Sequence, residues 1–236
     1  MNPIFFIPVV LAVAGIVYMV IMNKRHNFAK AEISIDQERQ HYSSYKNELL
    51  NQDFSFLKDW MNGKVIDAFS SASIPQSTAS KVQNLVGDGL KNVALSAVGV
   101  KLRRVETDAF WVLSGKDLHF LVADTAGELE QHLIFDNFRI KNARLQDGGV
   151  LKSQLGIYNT KKVEEYLPKV QLITFDIDGQ PLSLEIHDRL RYVADPMDVW
   201  NLKKQLQIRA KYQVVGEQFL AELKSRFSNL ERTDLS

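Results

Sequence analysis

The chain has 236 residues, 24% of them charged and 45% from the AVILMFWYC set, enough for one good-sized folded domain with appendages or two small domains. A net charge of +1 offers no global basic surface, so no nucleic-acid partner is expected. The absence of cysteine excludes disulfides, thiolate zinc sites, iron–sulfur clusters and cysteine nucleophiles.

The run from Ile4 to Met22, IFFIPVVLAVAGIVYMVIM, carries no charge. As a helix it would extend roughly 28 Å at about 1.5 Å per residue, close to a bilayer core. Lys24, Arg25, His26 and Lys30 follow it, and only the terminal amine precedes it. The positive-inside rule therefore predicts a single-pass anchor with the C-terminal side in the cytoplasm. A cleaved signal peptide would place Lys or Arg before the apolar run. Ala12-Val13-Ala14 resembles a cleavage site, but the run continues past it. Residues 1–28 thus read as an anchor with a basic flank, and the membrane is the first expected partner.

Between 29 and 69 the apolar residues Ile33, Tyr42, Tyr45, Leu49, Phe56, Trp60 and Phe69 recur mostly at helical steps or their multiples. The charges among them are mixed. That favours an amphipathic helical region packed on the domain or on a second copy over one lying on a membrane surface. Asn51-Gln52-Asp53 is a candidate interruption. Residues 70–80, SSASIPQSTAS, read as a linker by composition. Lys81 to Val98 reads as a short helix with Val82, Leu85, Val86, Leu90 and Val93 on one side.

The period then changes to two. Strands are predicted at 99–105, 109–113, 117–123, 129–135, 138–145, 170–177 and 181–187. Turn chemistry marks the joints Ser114-Gly115, Ala126-Gly127, Asp136-Asn137 and Asp178-Gly179. A long excursion at 146–169 separates the fifth strand from the sixth. The last segment is helical, with Asp195 and Pro196 as start signals, Val199, Leu202, Leu206 and Ala210 on one face, and Gly216 as a candidate break or bend.

The hairpin AFWVLSGKDLHFLVAD, the stretch LEQHLIFDNFRIKNARL, the late hairpin QLITFDIDGQPLSLEIHD and the closing helix together resemble bacterial pleckstrin-homology-like and GRAM-like domains over about 99–230. The resemblance implies an α+β domain at 81–236, with the 146–169 insertion. Its core would be an antiparallel, partly open β-barrel of about seven strands capped by the C-terminal helix. It further implies a non-enzymatic binding or scaffolding module at the cell inner membrane. The expected partners are an unidentified protein, a second copy in a homo-oligomer, or the inner leaflet. The chain departs from the lipid-binding members in having Asp117 after Lys116 where a second base would stand. Lys101, Arg103, Arg104 and Lys116 are the candidate ligand-binding residues, and Glu106 and Asp108 lie close behind the cluster.

One stretch carries a competing chemistry. FDIDG, with Asp176 and Asp178 two residues apart, matches the Asp-x-Asp-Gly start of haloacid-dehalogenase-type hydrolases. That pattern implies a Mg²⁺-dependent phosphohydrolase. A hairpin explains the same residues locally: alternation, Asp-Gly at the turn, then alternation again. The five histidines, His26, His41, His119, His132 and His187, form no ligand spacing, and no serine sits in GxSxG. No cofactor and no metal is expected. His119 and His132 would face each other if their strands pair, and both read as surface or edge residues.

Overall fold

The computed structural model describes residues 15–18, 20, 24, 33–75, 108–150, 168–177, 179–191 and 202–231. The chain divides into two compact units, one of residues 1–41 and 192–211, the other of residues 42–191 and 212–236. In the first unit, Gly15–Tyr18 and Val20 are helical and solvent-exposed. A short helix α1 (Ile35–Glu38) leads into a 3₁₀ turn at Arg39–His41, with Arg39 paired to Asp36. Among the described residues no helix is long and apolar enough to cross a membrane. Most of the apolar run 4–22 lies outside them.

The second unit is α+β, with one antiparallel sheet. Helices α2 (Tyr42–Asn51) and α3 (Phe56–Trp60) precede β1 (Ala68–Ser73). Then come β2 (Ala109–Ser114), β3 (Asp117–Ala123), β4 (Leu129–Phe135), α4 (Asn137–Lys141), β5 (Arg144–Val150), β6 (Lys169–Ile177) and β7 (Gln180–His187). Helix α5 (Leu202–Arg226), which enters this unit at Tyr212, and a 3₁₀ turn at Ser228–Leu230 close it. The strand order is β4-β3-β2-β1-β7-β6-β5, every pair antiparallel.

The sheet curls without closing. In a flat sheet β4 and β6 would stand about 24 Å apart at roughly 4.8 Å per strand. Instead, Phe135 of β4 and Phe175 of β6 stack with centroids 4.0 Å apart, and Trp111 of β2 lies against both. Among the described residues strands β4 and β5 are unjoined edges, so the partly open barrel expected from the sequence is an open, curled sheet. Its concave side is filled by these rings and by Phe219, Leu220, Leu223 and Phe227 of the C-terminal segment. Each such side chain contributes about 1.5–3 kcal/mol through burial. The convex side is covered by Phe54, whose ring touches Phe69, Phe110 and Tyr212, and by Phe56 and Trp60 against Phe110.

Asp67 ties the corners together. Its carboxylate accepts from the Gly115 N–H at the β2–β3 turn and from Arg226 of α5, both at 2.8 Å. Its carbonyl accepts from Lys46 and Tyr42 of α2. Burial alone would raise the Asp67 carboxyl, but the bonds from Arg226 and Gly115 outweigh it and hold the group below its ordinary range.

Four expectations need correction. The stretch read as the end of a helix and the start of a linker, AFSSAS, is β1, the middle strand of the sheet. Its serines are small enough to be buried and each finds a partner: Ser70 Oγ donates to His187 O at 2.7 Å, and Ser71 Oγ accepts from Arg191 N at 2.8 Å. The strand expected at 138–145 is instead α4 followed by β5, because the Asp136 side chain caps α4 by accepting from Arg139 N. The excursion placed at 146–169 begins later, since β5 pairs with β6 as far as Val150. Gly216 does not break α5, which runs through it. The strand at 99–105, the helix at 81–98 and the start signals Asp195-Pro196 lie outside the described residues.

Gly216 is where α5 crosses the chain leaving β7. A Cβ there would stand 2.5 Å from Arg189 Cα and 2.6 Å from Arg189 N. The same crossing carries a bond from Leu190 N to Tyr212 O. Backbone cannot step aside as a side-chain tip can. Gly216→Ala is therefore expected to cost about 3 kcal/mol despite the better helix propensity of alanine. Urea unfolding followed by tryptophan fluorescence measures it, and a variant as stable as the parent would contradict the close crossing.

Candidate functional site

Of the sequence candidates, Lys101, Arg103, Arg104 and Asp178 lie outside the described residues. Lys116 is exposed at the tip of the β2–β3 hairpin. Gly115, at φ +58, makes the tight turn that Lys116 completes. Asp176 is exposed near the end of β6, and its Oδ1 accepts from Gly179 N at 2.9 Å. Ile177 pairs with Gln180 across the turn, and Gly179 has φ +79. The carboxylate thus braces the hairpin tip.

A cleft of about 590 Å³ opens beside it, lined by Lys141, Arg144, Thr174, Asp176, Gly179 and Pro181 among others. One wall is the α4–β5 corner. Ile140 anchors that corner in the core, and the Asn229 side chain donates to both Ile140 O and Ala143 O. The other wall is the β6–β7 tip, where Thr174 and Ser183 share a hydrogen bond across the pair. Pro181 is tolerated there because β1 pairs with β7 only farther along, at Glu185 and Ile186. Two exposed cations and one carboxylate give the cleft a slight preference for anions. In the sequence the basic residues of this corner fall within the strand expected at 138–145, and Asp136 is the cap signal that marks the helix instead.

Two buried polar clusters lie elsewhere. On the convex side His119 Nδ1 and His132 Nε2 are 2.8 Å apart. His132 pairs with Leu121, one position diagonal to His119, so strand pairing does bring them together. His119 is fully buried, not a surface or edge residue, and its Nε2 has no partner among the described residues. Burial, with His132 and Lys64 nearby, pushes it down to about 4, while burial lowers His132 as well. The pair is neutral at pH 7, one ring donating and the other accepting.

The second cluster joins β1 to β7. Ser73 Oγ donates to the Glu185 carboxylate and lies 2.8 Å from His187 Nε2. A serine nucleophile needs an imidazole that takes its proton and an acid that orients the imidazole. Here the order is His–Ser–Glu, the serine proton goes to the acid, and His187 Nδ1 has no partner among the described residues. The cluster braces a strand joint. Burial pushes His187 down to about 4, Asp188 partly opposing it and Arg191 adding to it. Among the described residues no three His, Asp or Glu side chains converge as a metal site.

Comparison of the chain with protein families, with curated proteins and with solved structures finds no match.

Both buried histidines make stability depend on pH. Their folded values lie below the ordinary 6.5, so the unfolded chain takes up protons first as pH falls. The stabilisation is complete above 6.5 and is lost between 6.5 and about 4, by about 1.4 kcal/mol per pH unit for each group at most. Urea midpoints should fall over that window. His119→Gln and His187→Gln should each show a shallower acid slope than the parent.

Proposed function

We propose that the chain is a membrane-anchored, non-enzymatic binding or scaffolding module carrying a pleckstrin-homology-like domain on the cytoplasmic face of the cell inner membrane. The observation that carries the reading is the exposure of helical Ile16, Val17, Tyr18 and Val20, all within one uncharged run. Exposed apolar side chains on a helix are costly in water and at home in lipid. The basic flank at Lys24, Arg25, His26 and Lys30 supports the orientation. The curled antiparallel sheet with a C-terminal helix packed on its concave side supports the pleckstrin-homology-like reading of the domain. Tethering raises the domain's effective concentration for other components of the same surface.

The phosphohydrolase reading has one observation in its favour, the cleft that gathers Asp176 with Lys141 and Arg144. Against it, the Asp176 carboxylate is engaged by the turn it caps. Asp176→Asn should leave any Mg²⁺-dependent phosphatase activity of the purified chain unchanged. Loss of such an activity with the fold intact would favour the hydrolase.

The anchor is tested by alkaline carbonate extraction. The full chain should stay with the membrane pellet, and a chain starting at Ala29 should move to the supernatant. A reporter fused after Ser236 should be active only in the cytoplasm; activity outside it would reverse the orientation.

A further inference from the structure

Among the described residues of the sheet unit, Phe138 is the most exposed large apolar side chain, 79% accessible, and Ile134 nearby is 40% accessible. Phe138 sits on the outer side of α4, opposite Ile140, which is buried in the core. Burying Ile140 therefore obliges Phe138 to point outward. The corner is held at both ends, by the Asp136 cap and by the Asn229 bonds to Ile140 O and Ala143 O. An exposed aromatic ring on a rigid corner has no means of folding back.

Its surroundings are cationic. Arg139, Lys141 and Arg144 are all exposed within seven residues of Phe138. Arg139 gives one donor to Ile134 O and keeps the rest of its guanidinium. Among the described residues, the acids on this corner and its neighbours are Asp136, whose side chain accepts from Arg139 N, Asp147 farther along β5, whose side chain accepts from Gly149 N, and Asp176 across the cleft, whose side chain accepts from Gly179 N.

We infer that the α4 corner is a membrane-contact surface: Phe138 enters the headgroup boundary of an anionic leaflet, and Arg139, Lys141 and Arg144 bind its phosphate-bearing headgroups. An aromatic ring ringed by bases is what such a boundary takes. The apolar area is one ring and part of an isoleucine. That is far below the core of a stable protein interface, which needs about 1,000 Å² in all. The inference rests on the anchored-module reading only for bringing the corner within reach of a leaflet.

The chain has no cysteine, so Asn137→Cys, at an exposed position beside Phe138, accepts a single environment-sensitive fluorophore. The labelled full chain is reconstituted in nanodiscs of phosphatidylcholine, or of phosphatidylcholine mixed with phosphatidylglycerol. Blue-shifted emission is expected with the anionic lipid. It should be reduced by high salt. It should also be abolished by Phe138→Ser, and by the combined Arg139→Glu, Lys141→Glu and Arg144→Glu. Emission that stays aqueous in both lipids overturns the inference, as does an equal shift in both. A shift that appears in neutral discs only as chain concentration rises assigns the corner to a protein contact and overturns it too. Carbonate extraction of the same labelled chain tells the two readings apart. If the chain is extracted, the anchor fails, and vesicles of the same two compositions added to the chain still decide the corner.

Discussion

The joint between β1 and β7 is the constraint on which the sheet depends. Strands β2 to β4 form one meander and β5 to β7 another, and β1 is the strand that links them. Its ladder to β7 is short, registered at Ala72 with Ile186 and Ser73 with Glu185. Side chains extend it. Ser70 reaches His187 O, Ser73 reaches Glu185 and His187, and Trp111 Nε1 donates to Glu185 O at 3.0 Å. These bonds explain why β1 is alanine and serine except at Phe69, which packs against Phe54 on the convex side. Larger residues would fill the space in which the two meanders approach, and apolar ones of the same size could not extend the ladder.

Closing the two meanders over one core then requires something to fill the bend. The C-terminal part of α5 does so, and its placement is controlled from both ends. At Gly216 the helix touches the backbone leaving β7. At Arg226 it is paired to Asp67, to the Gly115 carbonyl and to Glu222. Tyr42 adds a link from α2 to Glu222, and burial together with that carboxylate raises its phenol. A turn, a strand start and two helices thus meet on a few polar atoms. The aromatic cluster of Trp111, Phe120, Phe135 and Phe175 packs within that frame.

The legible parts of the fold were those whose own sequence carried the period. DLHFLVA and LEQHLIF alternate, have turn residues on both sides, and form strands with the predicted bounds. AFSSAS carried no such mark. Its burial comes from the strands on either side, and small polar residues look alike in a buried strand and in a linker. FRIKNARL alternates well enough to pass for a strand, yet one capping hydrogen bond turned its first half into a helix. Gly216 was read by its propensity, while its role is set by a segment some 27 residues away in the chain, Arg189. Of the site, the β6–β7 hairpin was legible from Asp-Gly and its flanks, while the bracing of its tip by the Asp176 carboxylate was not. The corner that faces it was not, because only the structure puts Lys141 and Arg144 beside that hairpin.

Polar groups in the sheet unit fall into two sets, and the division bears on what the unit is for. The buried set, which also holds Gln131 and Asp188, includes Ser70, Ser71, His119 and His187, whose bonds join neighbouring segments of the sheet. Its histidines are held neutral by burial, where a substrate could gain little from them. The exposed set, Lys116, Arg139, Lys141 and Arg144, faces outward on rigid turns and corners. A fold that needs its basic residues for cohesion buries or pairs them, as it does Arg226 and Arg189. At the α4 corner Lys141 and Arg144 do neither, Arg139 gives one donor to Ile134 O, and all three flank an aromatic ring that burial of Ile140 forces outward. That combination has a physical rationale in contact with an anionic surface, and the proposed anchor would hold the domain beside one.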